Sequence, residues 1–252
     1  MFSSCDALTG LNLNNFNTSN VTSMQGMFYH CISLANLDIS SFNTENVTNM
    51  STMFRACNAL SNLEINNFNT SNVENMYNMF KQCTALTSLD LRNFDTSNVT
   101  NMEGMFNYCI LLQSINLSSF NTAKVTNMKS MFENCKVLET LDLNNFNTEK
   151  VENMSGMFWT CNSLISVDLS NFNTSNVIDM ADMFSWNGNL TTVYVGENWD
   201  TSKVPEGSIM FKGCKKIVGG NGTKFNSSYT DVSYAHIDGG TSNPGYFTAK
   251  TN

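Results

Sequence analysis

The sequence has few charged residues, only two prolines and no long apolar run. Charged side chains make up 13% of the 252 residues, and the formal net charge is -8 with a pI of about 4.7. An acidic chain without a Lys/Arg run argues against nucleic acid as a partner and against an anionic membrane surface. Because no apolar run is long enough to cross a bilayer, direct membrane insertion is not expected.

Motifs for catalysis and for metal binding are also missing. The two histidines, His30 and His236, have neither the spacing of a metal site nor that of a catalytic triad, and there is no CxxC pair, HExxH, GxSxG or Gly-rich phosphate loop. The many hydroxyl groups lie at repeated positions, whereas a catalytic residue should depart from the repeat. We therefore expect no enzymatic activity, no catalytic residue, no zinc site and no cofactor.

The dominant feature of the sequence is a repeat of 26 residues. The pair Met-Phe recurs without a slip from Met1-Phe2 to Met183-Phe184, and a cysteine follows most of these pairs. A period this regular predicts a solenoid with one structural unit per coil. Equivalent residues of successive coils point the same way, so their Cβ atoms do not converge as a disulfide requires. Cys31 to Cys161 are predicted to be reduced and buried.

Each unit contains two apolar patterns. Leu37, Asp38 and Ile39 alternate between apolar and polar, which is typical of a short strand. From Val47 to Leu60 an apolar residue recurs every three to four positions, which predicts a short helix that the preceding threonine, Thr44, could cap. If this segment is irregular or 3₁₀ instead, the stack would be straighter. The Asn or Asp before each such threonine is either a turn residue or part of a ladder between coils.

These patterns predict an α/β solenoid like that of leucine-rich repeats. We expect a right-handed stack of about eight coils over residues 1–214, with one parallel β-sheet on one face and short helices on the other. Strands are expected near 37–39, 63–65, 89–91, 115–117, 141–143 and 167–169. Residues 215–252 carry several turn signals and are expected to form a β-rich C-terminal cap with one or two hairpins.

The unit N-F-[ND]-T-x-x-V-x-x-M-x-x-M-F-x-x-C-x-x-L resembles the 26-residue repeat of bacterial surface proteins related to BspA-type leucine-rich repeats. The segment from Val218 to Gly240 is similar to the one that closes such arrays in gut and oral bacteria. The resemblance implies an extracellular protein of the bacterial cell surface, often an adhesin, with a host or bacterial surface protein as partner. Because the sequence opens inside a repeat, we expect a monomeric fragment of a longer protein.

Two sets of side chains are candidate binding surfaces. The first, here called the acidic strip, occupies the polar position between the two apolar strand residues and should line the concave sheet. It would attract a basic partner or loosely hold Ca²⁺, or it is a solvated face that keeps the sheet soluble. The continuity of this strip along the stack slightly favours it as the binding surface. Its members are Asp38, Glu64, Asp90, Asp142 and Asp168.

The second set, here called the aromatic set, lies in the two positions after each Met-Phe pair. These positions vary most between coils, which suggests solvent exposure, and exposed Tyr and Trp are good interface anchors. Alternatively, the two tryptophans lie across the neighbouring coil. The members of the aromatic set are Tyr29, Tyr108, Trp159 and Trp186.

The sequence therefore predicts a non-enzymatic binding module that adheres to a host or neighbouring-cell macromolecule through one solenoid face. The alternative is a structural spacer without a ligand of its own. A spacer needs no exposed aromatic residue and tolerates any order of coils, whereas a binding module should present a localised patch.

Overall fold

The computed structural model describes residues 1–250, which form short strands joined by turns. The C-terminal segment contains two 3₁₀ helices, Val232–Tyr234 and Gly240–Ser242. Within residues 1–250 there is no α-helix, and no helix is long and apolar enough to span a membrane. The strands are β1 Gly10–Asn12, β2 Asn36–Asp38, β3 Ser88–Asp90, β4 Ser114–Asn116, β5 Ser166–Leu169, β6 Thr192–Val195 and β7 Phe247–Ala249.

The strands of successive coils pair in parallel at equivalent positions of the repeat. Leu11 lies opposite Leu37, and Leu89 lies opposite Ile115. The predicted parallel pairing is confirmed. The prediction of one continuous sheet is wrong. Residues 63–65 and 141–143 form no strand, so the strands pair in three separate sheets, β1-β2, β3-β4 and β5-β6-β7. Nothing in the sequence of these two segments explains the interruption.

The Met-Phe segments form consecutive turns, so the predicted helical face is wrong. In the coil of Met53, the backbone N–H groups of Met53, Arg55 and Cys57 each donate to the carbonyl three residues earlier, at 3.1–3.2 Å. Thr52 and Ala56 have φ angles of 55° and 61°, in the left-handed region. A left-handed residue at every fourth position interrupts the helical path, although the apolar spacing of three to four residues is retained.

The N–H groups that do not close these turns donate to the next coil. We call residues 24–31 and their equivalents the turn face. In one representative coil, four N–H groups of this face donate towards the C-terminal neighbour. The N–H of Thr48, just before the face, donates in the opposite direction to Thr22 O at 2.8 Å. The four bonds are Met50 N to Asn75 O, Thr52 N to Tyr77 O, Phe54 N to Met79 O and Ala56 N to Lys81 O, at 2.8–3.0 Å.

The core is a set of columns that run along the stack. The phenylalanines of the Met-Phe pairs stack from Phe2 to Phe211 with ring centroids 5.6–5.9 Å apart and planes within 14°. Phe2 and Phe184 are separated by seven repeats of 26 residues, so the regular part of the stack makes about seven turns before the less regular coil of Phe211.

The cysteine column packs beside these rings as free thiols. Cys31 to Cys161 are reduced and buried, as predicted. The Cys57 thiol donates to Phe28 O at 3.2 Å, and the same bond recurs in each coil up to that of Cys161. Burial raises the pKa of the Cys57 and Cys109 thiols to about 12, so these side chains behave as small apolar groups.

The threonine column connects coils instead of capping helices. Thr96 Oγ1 donates to Asn121 O at 3.0 Å and accepts from Asn121 N–H at 2.8 Å, and Thr44 makes the same two contacts to Asn69. The preceding Asn43 is a turn residue, since its side-chain oxygen accepts from Glu45 N–H at 3.0 Å. Each threonine hydroxyl thus takes the place of a backbone partner for the next coil. It joins two coils at a position that lies outside the paired strands and outside the turn face.

The C-terminal segment closes the last coil without a hairpin. Strand β7 extends the sheet by pairing in parallel with β6, and Trp199 donates its indole N–H to Ala235 O at 3.0 Å. The expected hairpins do not form as pairs of strands; the antiparallel contacts of this segment within residues 1–250 are the isolated bridges Ile209–Asp231 and Val218–Lys224.

One buried carboxylate holds the turns of this segment together. Asp238 is 2% exposed. Burial raises the pKa of Asp238, but hydrogen bonds from Thr223, Gly240 and Asn221 outweigh it and hold the pKa far below its ordinary value. Its donors are Asn221 N–H (2.8 Å) and Thr223 N–H (3.0 Å) to Oδ2, with Thr223 Oγ1 (2.7 Å), Gly240 N–H (2.9 Å) and Gly245 N–H (3.4 Å) to Oδ1.

Candidate binding surfaces

The acidic strip lies where the strands end and the chain turns. Asp142 Oδ1 accepts the backbone N–H of Asn144 at 3.0 Å, and Asn116 makes the equivalent bond to Ser118 at 3.1 Å. An Asp or Asn that bonds the N–H two residues ahead forms an Asx turn. The position therefore has a structural role that either residue fulfils. Glu64 has a longer side chain, and it accepts instead from the amides of Asn62 and Asn66.

Two of the five carboxylates have a cation beside them. Asp90 accepts a salt bridge from Arg92 at 2.6 Å, and this bond holds the pKa of Asp90 below its ordinary value. Asp168 pairs with Lys250; partial burial raises its pKa, but bonds from Lys250 and Ser170 outweigh that effect. The strip therefore carries less free charge than its sequence suggests.

At the N-terminal end, the strip borders an open cleft. Asn12, Asp38 and Glu64 line it together with Leu37 and Asn62, and its volume is about 580 Å³. Asp38 accepts from Asn14 and Ser40, and the Ser40 hydroxyl and N–H bonds lower its pKa. Within residues 1–250, no three His, Cys, Asp or Glu side chains are grouped so that they could hold a metal ion.

The members of the aromatic set differ in exposure. Trp186 is 50% exposed and Tyr108 is 41% exposed. Tyr29 is half-buried, with the Arg55 guanidinium 5.4 Å from its ring centroid. Trp159 is also half-buried, and its indole N–H is buried without a protein partner. The structure thus leaves Tyr108 and Trp186 as the members with the most accessible rings.

Sequence variation is a poor guide to exposure on the turn face. The variable residues Asn107, Glu133, Asn134 and Ser185 are all buried, contrary to the expectation that these positions are solvent-exposed. Glu133 Oε2 lies 4.0 Å from where a Cβ atom would stand on Gly156, in the next coil. These side chains extend along the stack, where a neighbouring coil covers them.

Three lysines near Trp186 were not among the candidate residues predicted from the sequence. Lys212, Lys215 and Lys216 lie within five residues, and all three are exposed. The Lys212 ammonium is 5.6 Å from the centroid of the Trp186 ring. The spacing K-x-x-K-K was visible in the sequence, but only the fold shows that it borders an exposed indole of the preceding coil.

A family model described as "Mycoplasma protein of unknown function, DUF285" matches the chain in three overlapping stretches, residues 1–92, 86–192 and 140–238. These stretches together cover the repeat and most of the C-terminal segment. No curated protein matches the chain.

Two solved structures are similar to parts of this chain. A leucine-rich repeat protein from Bacteroides ovatus ATCC 8483 is 17% identical, with 86% of this chain and 67% of that chain covered and a TM-score of 0.45. A leucine rich cell surface protein from Faecalibacterium prausnitzii A2-165 is 18% identical, with 92% and 80% covered and a TM-score of 0.38.

Proposed function

The chain belongs to the DUF285 repeat family, and from this membership and its exposed side chains we propose that it is a non-enzymatic binding module of a bacterial cell-surface protein. The resemblance of its repeat to those of BspA-like surface proteins supports the extracellular location. The ligand in this proposal is a macromolecule of the host or of a neighbouring cell, bound on one face of the solenoid.

The half-exposed indole of Trp186 is the observation that carries the proposal. The phenylalanine columns of the repeat are packed inside the stack, whereas half of the Trp186 side chain stays exposed even though its ring contacts Gly213 of the next coil. Trp is enriched among the residues that dominate binding energy. The exposed half of the indole is of no use to a spacer, whereas it can anchor the partner of a binding module.

The acidic strip is the second surface on which binding is proposed. Its Asx turns and ion pairs account for its residue types without any partner. Charge at Asp38, Asp142 and Glu64 is nevertheless free of a salt bridge within residues 1–250. A basic partner would pair with these carboxylates at the N-terminal cleft and along the strand face.

The two surfaces can be separated by substitutions that preserve the fold. Asp→Asn at Asp38, Asp90, Asp142 and Asp168 removes four charges, and it should keep the Asx turns because Asn12 and Asn116 form them in the native chain. Trp186→Ala removes the indole. Each variant and the unmodified chain would be tested by biolayer interferometry against immobilised matrix proteins and bacterial surface proteins.

The outcomes assign the surface or reject the function. If the fourfold Asn variant loses binding, and added salt causes the same loss in the unmodified chain, the binding site is the acidic strip. A loss of ~2 kcal/mol in Trp186→Ala with little salt dependence assigns it to the aromatic set. A chain that binds no member of either panel favours the spacer, which the uninterrupted ladders of the turn face would suit.

A further inference from the structure

We propose that the surface around Trp186 binds an acidic polysaccharide, a chain of sugar rings that carries sulfate or carboxylate groups. This inference rests on the proposed function, because it names the ligand class for one of the two surfaces suggested there. It is carried by the juxtaposition of an exposed indole, a lysine cluster and an open glycine-lined cleft at the last coil.

The charge of this surface is opposite to that of the whole chain. The net charge is -8, yet three of the 13 basic residues lie at Lys212, Lys215 and Lys216. The cleft beside Trp186 has a volume of about 410 Å³ and no acidic residue in its lining. A cleft lined by charge of one sign raises the local concentration of counter-ions, so this surface selects an anion.

The Trp186 ring is held in a fixed position on this surface. The backbone N–H of Trp186 donates to Lys212 O at 2.5 Å, and its φ angle of 65° places the residue at the second left-handed position of the turn face. The indole packs directly on Gly213, where a Cβ atom would lie 2.9 Å from Cε3 of the ring. Gly213 therefore has a packing role. Half of the Trp186 side chain remains exposed, and the exposed Lys212 ammonium lies over its ring.

The rest of the cleft is flat and polar. Gly188 and Gly213 leave its floor without side chains, and Asn162, Asn189 and Lys215 stand around it. The Asn189 amide is oriented by a bond to Asn162 O at 2.9 Å and by Lys216 Nζ at 2.7 Å. Asn187, in place of the usual cysteine, shows that the sequence departs from its repeat next to this surface.

These features favour a sugar ring over a peptide. A peptide is commonly bound by an unpaired strand edge or an apolar groove, and the residues that line this cleft provide neither. The C–H face of a pyranose ring stacks on a flat aromatic ring whose π face is electronegative. A sulfate or carboxylate on the same sugar would then pair with Lys212 and Lys215.

The test compares polymers that differ in one property at a time. The full chain would be titrated with dextran sulfate, hyaluronan, uncharged dextran and poly-glutamate, with binding followed by calorimetry at two salt concentrations. We expect binding to one or both acidic polysaccharides, no binding to dextran, and weaker or no binding to poly-glutamate. Added salt should weaken the complex, because exposed charge pairs are screened.

Matched variants locate the site. Trp186→Ala should weaken binding about tenfold or more, and Lys212→Ala with Lys215→Ala should weaken it severalfold and reduce its salt dependence. Lys129→Ala, which removes an exposed lysine elsewhere on the turn face, should bind normally. Circular dichroism checks folding, and the lysine pair tests the proposal if Trp186→Ala is unstable.

Each remaining outcome counts against the inference. Binding that is unchanged in both Trp186 and lysine variants overturns it, and poly-glutamate that binds as tightly through the lysines alone indicates an acidic peptide. If a matrix or surface protein binds through Trp186 while neither acidic polysaccharide binds, the ligand class is wrong and the proposed function stands. If no ligand of any class binds, both fail.

Discussion

Asp238→Asn should unfold the C-terminal segment while leaving the coils far from it intact. The substitution changes almost no volume, but it replaces one carboxylate oxygen by an NH₂ group. Asn221 and Thr223 direct their backbone N–H groups at Oδ2, and Gly240 and Gly245 direct theirs at Oδ1. Whichever way the amide is turned, two donors at this 2%-exposed site face another donor.

The expected loss follows from these contacts. Leaving a buried donor without its acceptor costs about 1–3 kcal/mol, and bonds to a charged acceptor lie at the upper end, so two such donors give a loss of about 3–5 kcal/mol. Hydrogen exchange should show it as lost protection at Asn221, Thr223 and Gly240 and in β7. Protection near Met50 should change little, since each coil contacts only its neighbours.

Asp142→Asn is the matched control for this measurement. Asp142 is exposed and accepts one backbone N–H, a bond that asparagine makes at Asn116, so the same substitution should cost less than about 0.5 kcal/mol there. Equal protection of the C-terminal segment in Asp238→Asn and Asp142→Asn would refute the role given to the buried carboxylate.

Acid provides a second measurement of the same residue. The folded pKa of Asp238 is depressed below the ordinary value of about 3.9, so its contribution to stability is complete above pH ~4. It is lost as pH falls towards the lower folded pKa. Protection of Asn221 and Thr223 should therefore decrease below pH ~4 in the unmodified chain, and this decrease should be smaller in Asp238→Asn.

Three further predictions concern the columns of the stack. A thiol reagent should modify Cys5 in the native chain and the seven buried cysteines only after denaturation, as mass spectrometry would show; modification of buried thiols at the rate of Cys5 would contradict the packing described. In urea unfolding, Thr96→Val should cost about 2 kcal/mol because it removes both bonds to Asn121, whereas Thr96→Ser should retain most of the stability. Gly104→Ala should lower the free energy of unfolding by about 1–3 kcal/mol more than Gly26→Ala. Both glycines have φ near 60°, so the backbone strain is similar. A Cβ atom on Gly104 would lie 2.1 Å from the buried Asn78 Oδ1, whereas a Cβ atom on Gly26 would lie 3.5 Å from Thr52 Oγ1. Equal losses would show that Asn78 moves aside freely.

The repeat length was sufficient to predict stacking, parallel register and the buried columns. A fixed period of 26 residues places each Met, Phe and Cys over its equivalent, whatever the local backbone does. The helix prediction failed because an apolar residue every three to four positions is compatible with consecutive turns as well as with a helix. The sequence did contain an indication of this, since five of the seven residues at the first left-handed position of the turn face are Gly, Asn or Asp: Gly26, Asn78, Gly104, Gly156 and Asp182, with Thr52 and Ser130 as the other two. Glycine, asparagine and aspartate tolerate that conformation best.

The candidate surfaces were harder to predict than the fold. Asp90 and Asp168 were recognisable as a repeated acidic column, but the Lys250 partner of Asp168 lies 82 residues away and follows only from the position of β7. The burial of Glu133 depends on the neighbouring Gly156, which a single unit of the repeat does not show. Such contacts arise between coils that differ, and periodicity describes only what the coils share.

The turn face gives the solenoid an electrical direction. Each peptide group carries a dipole of about 3.5 D, and in a sheet these dipoles largely cancel because they alternate. On the turn face four N–H groups per coil point towards the C-terminal end, and one N–H just before this face points back, so the dipoles add along the stack. The positive end lies at the last coil, the reverse of an α-helix, whose N-terminus is positive. Lys212 thus lies at the end of the stack where the backbone dipoles also favour the binding of an anion.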